Sequence, residues 1–200
     1  VLSEVQSELL SFRDSGMSLM EMSHRSKEYS KINNDAQNAV RELLNVPENY
    51  KILFIQGGGT GAFAAVAMNM MNRTGSADYA VTGTWSGKAA KEAAKYGKVS
   101  LVFPKADKPG SIPPESTWTL SPDASYLYYC DNETVDGVEF PYVPNSNGVP
   151  IVCDMSSSIM TKRVDVAKFG AIIAGAQKNI GPAGVTLIIV REDLLGNPMK

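Results

Sequence analysis

Apolar residues recur along the chain first at a helical spacing and then in short runs. From Ser3 to Arg13, Val5, Leu9, Leu10 and Phe12 fall on one side of a helix that Ser3 can cap. A second stripe, Ile32, Ala36, Ala39, Val40, Leu43 and Leu44, predicts a helix over Asn33–Val46. Pro47 would end it, since proline has no N–H to give and its ring collides with the preceding turn. Lys51–Ile55 then reads as a short buried strand. It runs into Gln56-Gly57-Gly58-Gly59-Thr60-Gly61 and a helix over Ala62–Asn72. Apolar runs predict further strands at Asp78–Gly83, Val99–Phe103, Tyr126–Cys130, Val149–Cys153, Ala171–Ala174 and Val185–Val190. A helix is expected over Ser86–Tyr96, and a surface loop rich in Pro, Ser and Lys over Lys105–Ser121. Strands alternating with helices imply an α/β domain with a largely parallel sheet. One link departs from that rule. About ten residues, including Gly175, Gly181, Pro182 and Gly184, join Ala174 to Val185, and a parallel crossover needs a dozen or more. The last strand is therefore expected to run antiparallel to its neighbour.

Composition narrows the function classes. Two hundred residues, 44% of them hydrophobic, suit one soluble domain or somewhat more. A net charge of -2 gives no electrostatic reason to bind nucleic acid or an anionic membrane surface. No apolar run approaches a bilayer span, and the first residues do not read as a signal peptide. Cys130 and Cys153 each end an apolar run and read as buried free thiols, which fits a reducing, cytoplasmic setting. His24 is the sole histidine, so a His-based nucleophile or metal site has little to build on, and no metal is expected. The chain starts at Val1 and stops at Lys200 just after a strand-like run, so both ends read as cut from a longer protein.

Four elements could carry chemistry. Three glycines between a strand and a helix, Gly57 to Gly59, let backbone N–H groups converge at a helix start, where a phosphate is favoured. They equally suit a tight turn with close helix–sheet packing, and the P-loop and dinucleotide patterns are both missing. Val149–Asp154 is an apolar strand ending in a carboxylate, placed to keep a pyridine nitrogen protonated or simply to cap a turn. Lys178 follows a small-residue strand. It could form a Schiff base in a crowded, partly desolvated site, or be a solvated loop lysine. Trp85, between a strand and a helix, could stack on a flat heterocycle or be a core or subunit-contact aromatic.

The order of these elements says more than any one of them. Phosphate turn, aromatic, Asp at a strand end and lysine at the next is the layout of fold-type I pyridoxal-phosphate enzymes. Over essentially its whole length the sequence resembles the phosphoserine aminotransferase family. The matching stretches are Glu21-Met22-Ser23-His24-Arg25-Ser26, Gln56–Gly61, Thr82-Gly83-Thr84-Trp85-Ser86, Asn132–Glu139, Cys153-Asp154-Met155-Ser156-Ser157 and Gly175-Ala176-Gln177-Lys178-Asn179.

The resemblance implies the large domain of a fold-type I enzyme over residues 1–200, a mixed, mostly parallel sheet with helices on both faces. It implies pyridoxal 5'-phosphate as cofactor, L-glutamate and 3-phosphohydroxypyruvate as substrates, and a homodimer. Lys178 would hold the cofactor and shuttle protons. Asp154 would pair with the pyridinium nitrogen, Trp85 stack on the ring, and Thr134 bond the phenolic oxygen. Gly59, Thr60 and Gln177 would hold the cofactor phosphate. His24 and Arg25 would bind the substrate's distal anion, although by their own residues they read as a solvated pair at a helix start. Position 60 is Thr where some members carry an arginine of the anion pocket. The family's Gly-Pro-rich amino-terminal segment and its small carboxy-terminal domain have no counterpart here, so the chain alone is expected to be inactive. Another small-molecule aminotransferase of this fold, a nucleotide-binding module and a non-catalytic fragment are the competing readings.

Overall fold

The computed structural model describes residues 1–104 and 111–199, which divide into two compact units, Val1–Val46 and Pro47–Lys200. In the first unit, α1 (Leu2–Glu8) buries no residue. Val5, Leu9 and Leu10 stay exposed, and the chain leaves the helix for a 3-10 turn at Phe12–Asp14, where Arg13 adopts φ 44°. The helix expected to reach Arg13 thus stops early, because an apolar stripe sustains a helix only where it is buried. Ser3 is not its cap; Val1 holds that position without a side-chain hydrogen bond.

The second helix, α2 (Lys27–Leu44), starts well before Asn33 because Ser26 caps it, accepting the Tyr29 N–H at 3.1 Å. Its end is set by Asn45, not Pro47. Asn45 takes a left-handed φ of 48°, and its N–H turns back to the carbonyls of Arg41 and Glu42. Val40 and Leu44 are buried while Ala36, Ala39 and Leu43 are exposed, so the buried stripe is narrower than the apolar one.

The second unit contains β1 (Tyr50–Ile55), α3 (Gly58–Met70), β2 (Ser76–Ala80), α4 (Thr84–Ala93), β3 (Lys98–Leu101), β4 (Leu127–Cys130), β5 (Asn132–Glu133), β6 (Val138–Glu139), β7 (Ile151–Asp154), β8 (Ala171–Gly175) and β9 (Thr186–Arg191). A seven-stranded sheet runs β1-β9-β8-β7-β4-β2-β3, and β5 and β6 form a separate hairpin. β9 is antiparallel to both β1 and β8, as its short link to β8 requires. The other pairings in the sheet are parallel. β4, β7 and β8 are buried along their whole lengths, which is why they read as unbroken apolar runs. β1 is an edge strand. Tyr50 and Ile52 are buried but Lys51 and Leu53 are exposed, so it is not buried throughout as expected. Of the loop expected over Lys105–Ser121, residues 105–110 lie outside the described residues; the remainder includes a 3-10 turn at Glu115–Thr117.

α3 and α4 pack against each other and against the sheet. Small side chains, Ala62 and Ala67 on α3 and Ala89 and Ala93 on α4, bring the backbones close, and Phe63, Tyr79 and Tyr128 fill the layer between helices and strands. Tyr79 stacks on Tyr128 with ring centroids 4.8 Å apart, and its hydroxyl meets that of Tyr126 at 2.8 Å. Burial pushes the Tyr126 phenol up to about 12, so this pair stays neutral. Tyr129 points to the opposite face, where its ring packs edge-on against Phe140. Cys130 and Cys153 are buried and free. Among the described residues, no helix is long and apolar enough to cross a membrane, and no group of His, Cys, Asp and Glu could hold a metal ion.

Candidate functional site

Strand register gathers the candidate residues. Cys130 pairs with Asp154, and Asp154 with Ile173, so β4, β7 and β8 finish at one level of the sheet. Gly175 and Ile55 both face Thr186, so β1 ends there too, just before α3 begins. In open α/β folds this carboxyl edge is where ligands sit. Asp154 is the last residue of β7, and Lys178 follows shortly after β8.

A cavity of about 240 Å³ opens on this edge, lined by Gly59, Thr60, Phe63, Trp85, Cys130, Asn132, Asp154, Ser156, Ser157, Gln177 and Lys178. Six residues singled out from the sequence are among them: Gly59, Thr60, Trp85, Asp154, Gln177 and Lys178. Thr134 joins them through hydrogen bonds. Its Oγ1 accepts from Trp85 Nε1 at 3.2 Å and from Lys178 Nζ at 3.4 Å. His24 and Arg25 belong to the unit Val1–Val46, and both are exposed. A larger groove of about 700 Å³ is lined in part by Asp131, Tyr142 and Lys162, with an Asp131–Lys162 ion pair at 2.9 Å. It holds none of the candidate residues, so chemistry and not size selects the smaller cavity.

The rim at α3 is built for an anion. Gly57 and Gly58 take φ of 108° and 62°, a left-handed turn that glycine allows without penalty. Helical hydrogen bonding then begins with Gly61 N–H to the Gly57 carbonyl at 3.0 Å, so α3 starts inside the Gly-rich stretch and not at Ala62. The preceding N–H groups have no acceptor within the helix, and no side chain caps them. These orphan donors and the positive end of the helix dipole lie at Gly59 and Thr60, on the cavity wall.

At the cavity floor, burial pushes the Asp154 carboxyl above the usual carboxylate range. Two hydrogen bonds from Ser156, N–H at 2.9 Å and Oγ at 2.6 Å, and the charge of Lys178 act the other way. Both Ser156 bonds fall on Oδ1. Ser156 Oγ also accepts the Gly175 N–H at 2.9 Å and so ties the Asp154 carboxylate to the end of β8. Of the two settings the sequence left open for Lys178, the structure shows the exposed one, and its ammonium stands 5.8 Å from the centre of the Trp85 ring. Lys88 lies over the same ring at 4.5 Å.

The family model described as Aminotransferase class-V matches residues 1–200. The chain belongs to the class-V aminotransferases. This class-V chain is 61% identical over 201 residues to the phosphoserine aminotransferase of Drosophila melanogaster, a match covering all of the chain and 55% of that protein. It superposes with a TM-score of 0.93 on the structure of PLP-bound phosphoserine aminotransferase from Trichomonas vaginalis, at 40% identity, covering 100% of this chain and 56% of the other. For phosphoserine aminotransferase from Bacillus circulans subsp. alkalophilus, the TM-score is 0.90 at 42% identity, with 96% and 54% coverage. The chain thus spans about half the length of the relatives it matches. Likeness to alanine–glyoxylate aminotransferase from Nostoc, at 17% identity and a TM-score of 0.70, concerns the fold alone.

Sequence reasoning misses two features that build the site of this aminotransferase chain. Ser156 enters it only within the stretch Cys153–Ser157 that carries the family resemblance. The signal that could have found it is the Asp-x-Ser spacing at a strand end, which lets a hydroxyl turn back onto the carboxylate. The β5–β6 hairpin is the other. Its strands are two residues each, too short for an alternating pattern to register. Yet Glu133 is fully buried and Asp136 partly so, and both carboxylates accept from the first turn of α4.

Proposed function

We propose that this chain is the cofactor-binding part of a phosphoserine aminotransferase. The enzyme would use pyridoxal 5'-phosphate to move an amino group from L-glutamate to 3-phosphohydroxypyruvate, giving O-phospho-L-serine and 2-oxoglutarate in serine biosynthesis. One observation carries the reading for this chain: Asp154 and Lys178 leave adjacent parallel strands into one cavity that Trp85 also lines. The similarity to phosphoserine aminotransferases supports the choice of substrates.

The residues fit the group. The uncapped N–H groups at Gly59 and Thr60, and Gln177 lining the same cavity, offer donors for a phosphate. Asp154 leaves Oδ2 for a protonated ring nitrogen, because Ser156 occupies Oδ1. Thr134 Oγ1 already accepts two hydrogen bonds, so its own proton is left to donate to a phenolic oxygen. The Trp85 indole offers a flat face for stacking. When bound, the pyridoxal ring supplies an electron sink for the bond broken at the substrate. Lys178 Nζ, the one amine among the lining residues, holds the cofactor covalently and carries the proton between substrate and cofactor carbons. His24 and Arg25 bind the substrate's distal anion, to which the planar guanidinium fork is matched. Residues 1–200 serve as the large domain, in a homodimer located in the cytoplasm.

The test is covalent trapping. The chain mixed with pyridoxal 5'-phosphate should gain visible absorbance that bleaches with borohydride, leaving one label on the peptide containing Lys178. Lys178→Ala should stay unlabelled. A wild-type protein that remains colourless and unlabelled at saturating cofactor would sink the reading and favour a module of another kind.

A further inference from the structure

The β5–β6 hairpin approaches the start of α4 closely enough to leave no room for a side chain at Gly83. A Cβ there would stand 2.4 Å from an Asp136 carboxylate oxygen and 2.8 Å from Glu133 side-chain carbons. The approach brings Glu133, none of which is exposed, onto the orphan N–H groups of the helix. Oε2 accepts from Trp85 N–H at 2.8 Å. Oε1 accepts from Ser86 N–H at 2.7 Å and from Ser86 Oγ at 2.5 Å. Ser86 Oγ in turn accepts the N–H groups of Thr82 and Gly83 at 3.0 and 3.2 Å, so one carboxylate fixes the whole passage from β2 into α4. The next residue after Glu133 is Thr134, whose hydroxyl accepts the Trp85 indole N–H. Backbone and ring of Trp85 are therefore both held by consecutive residues of one hairpin.

From this arrangement we infer that Glu133 is a positioning residue of the cofactor site. It locks Trp85 and Thr134 into one rigid wall, and through Thr134 it sets where the Lys178 amine rests. It also explains why the two helices that start at the cavity differ. The start of α4 is filled by the protein's own carboxylates, while that of α3 has no side-chain cap and is left for an anion. The inference rests on reading the cavity as a cofactor site, but its first consequence needs no cofactor. A buried carboxylate that accepts three hydrogen bonds cannot be replaced by an amide without turning an N–H toward an N–H.

The experiment uses a Trp118→Phe background, in which Trp85 is the remaining tryptophan. Time-resolved fluorescence anisotropy of Trp85 is measured without cofactor, followed by titration with pyridoxal 5'-phosphate. Glu133→Gln should loosen the ring, giving a larger fast-decaying component. It should also weaken pyridoxal 5'-phosphate about ten- to hundredfold, the scale of one or more charged hydrogen bonds. Tyr126→Phe, which loses the buried hydroxyl pair with Tyr79 and none of the hydrogen bonds around Glu133, serves as a control for lost stability and should leave the anisotropy unchanged. If Glu133→Gln does not fold, Ser86→Ala removes the Oγ donor to Glu133 together with the acceptor of the Thr82 and Gly83 N–H groups, leaves the Trp85 and Ser86 N–H bonds to Glu133, and should shift the anisotropy in the same direction by less. Unchanged Trp85 anisotropy in the Glu133 variant, or in Ser86→Ala where that stands in for it, overturns the inference. So does an equal change in Tyr126→Phe. A loosened ring with unchanged cofactor affinity would count against stacking by Trp85, and so against the cofactor reading, while leaving the lock in place.

Discussion

Ser156 Oγ donates to Asp154 Oδ1 at 2.6 Å, a hydrogen bond between residues two apart in the chain that decides which carboxylate oxygen is left for the cavity. Asp154 is buried and its carboxyl is already pushed up by that burial. Ser156→Ala removes a donor that favours the charged form and should raise the carboxyl further. Pyridoxal 5'-phosphate binding, followed by absorbance across a pH series, should then fall off on the acid side at a higher pH than in wild type. Coincident profiles would show that the Ser156 N–H alone orients the carboxylate.

Asp154 should cost stability where it is charged. A carboxyl whose folded value lies above its unfolded value, ordinarily 3.8, keeps its proton longer in the native state. The stability this contributes is complete below the unfolded value and is lost as pH rises through the raised folded value. Asp154→Asn keeps the Oδ1 acceptor and removes the charge. It should gain about 1–2 kcal/mol in urea unfolding at neutral pH while losing most affinity for pyridoxal 5'-phosphate. A variant less stable than wild type at neutral pH would show that the hydrogen bonds outweigh the burial.

Gly83→Ala places a methyl group 2.4 Å from Asp136 and 2.8 Å from Glu133. Backbone strain is not the issue, since Gly83 is extended, with φ -170°. The hairpin must give way, and overpacking of this kind costs about 1–3 kcal/mol. The expected readout is a lower Tm together with weaker cofactor binding. Wild-type values for both would mean that the hairpin yields freely.

Cys130 and Cys153 should be inert in the folded protein. Burial pushes both thiols up, and the nearby carboxylates of Asp154 and Asp131 push in the same direction, so little thiolate forms. Iodoacetamide followed by mass spectrometry should show both unmodified under native conditions and both modified in urea. Rapid native labelling of Cys130, which lines the cavity, would reveal an opening of the site.

Much of the sheet can be read from local pattern. Leu127–Cys130, Ile151–Asp154 and Ala171–Gly175 are short apolar runs because each is covered on both faces, and such coverage leaves its mark in composition. The reversal of β9 follows from the minimum length of a parallel crossover. Asp154 and Lys178 stand out for a related reason: a polar residue that ends an apolar run lies at a sheet edge. Helix limits are less legible. Ser26 caps α2 from within a polar stretch that offers no periodicity, and α1 stops early although its apolar spacing continues.

What the chain determined by itself was therefore its strand runs, their polar ends and the glycine turn before α3, all consequences of contacts or dihedrals within a few residues. Tertiary structure alone decided that β1 lies beside β9, pairing Ile55 with Thr186. It alone made Glu133 and Asp136 the caps of a helix that begins at Thr84. These relations join groups far apart in sequence, and a buried N–H can be satisfied by any acceptor the fold brings to it. Local pattern records that such a donor needs a partner, but not which residue the packing will deliver.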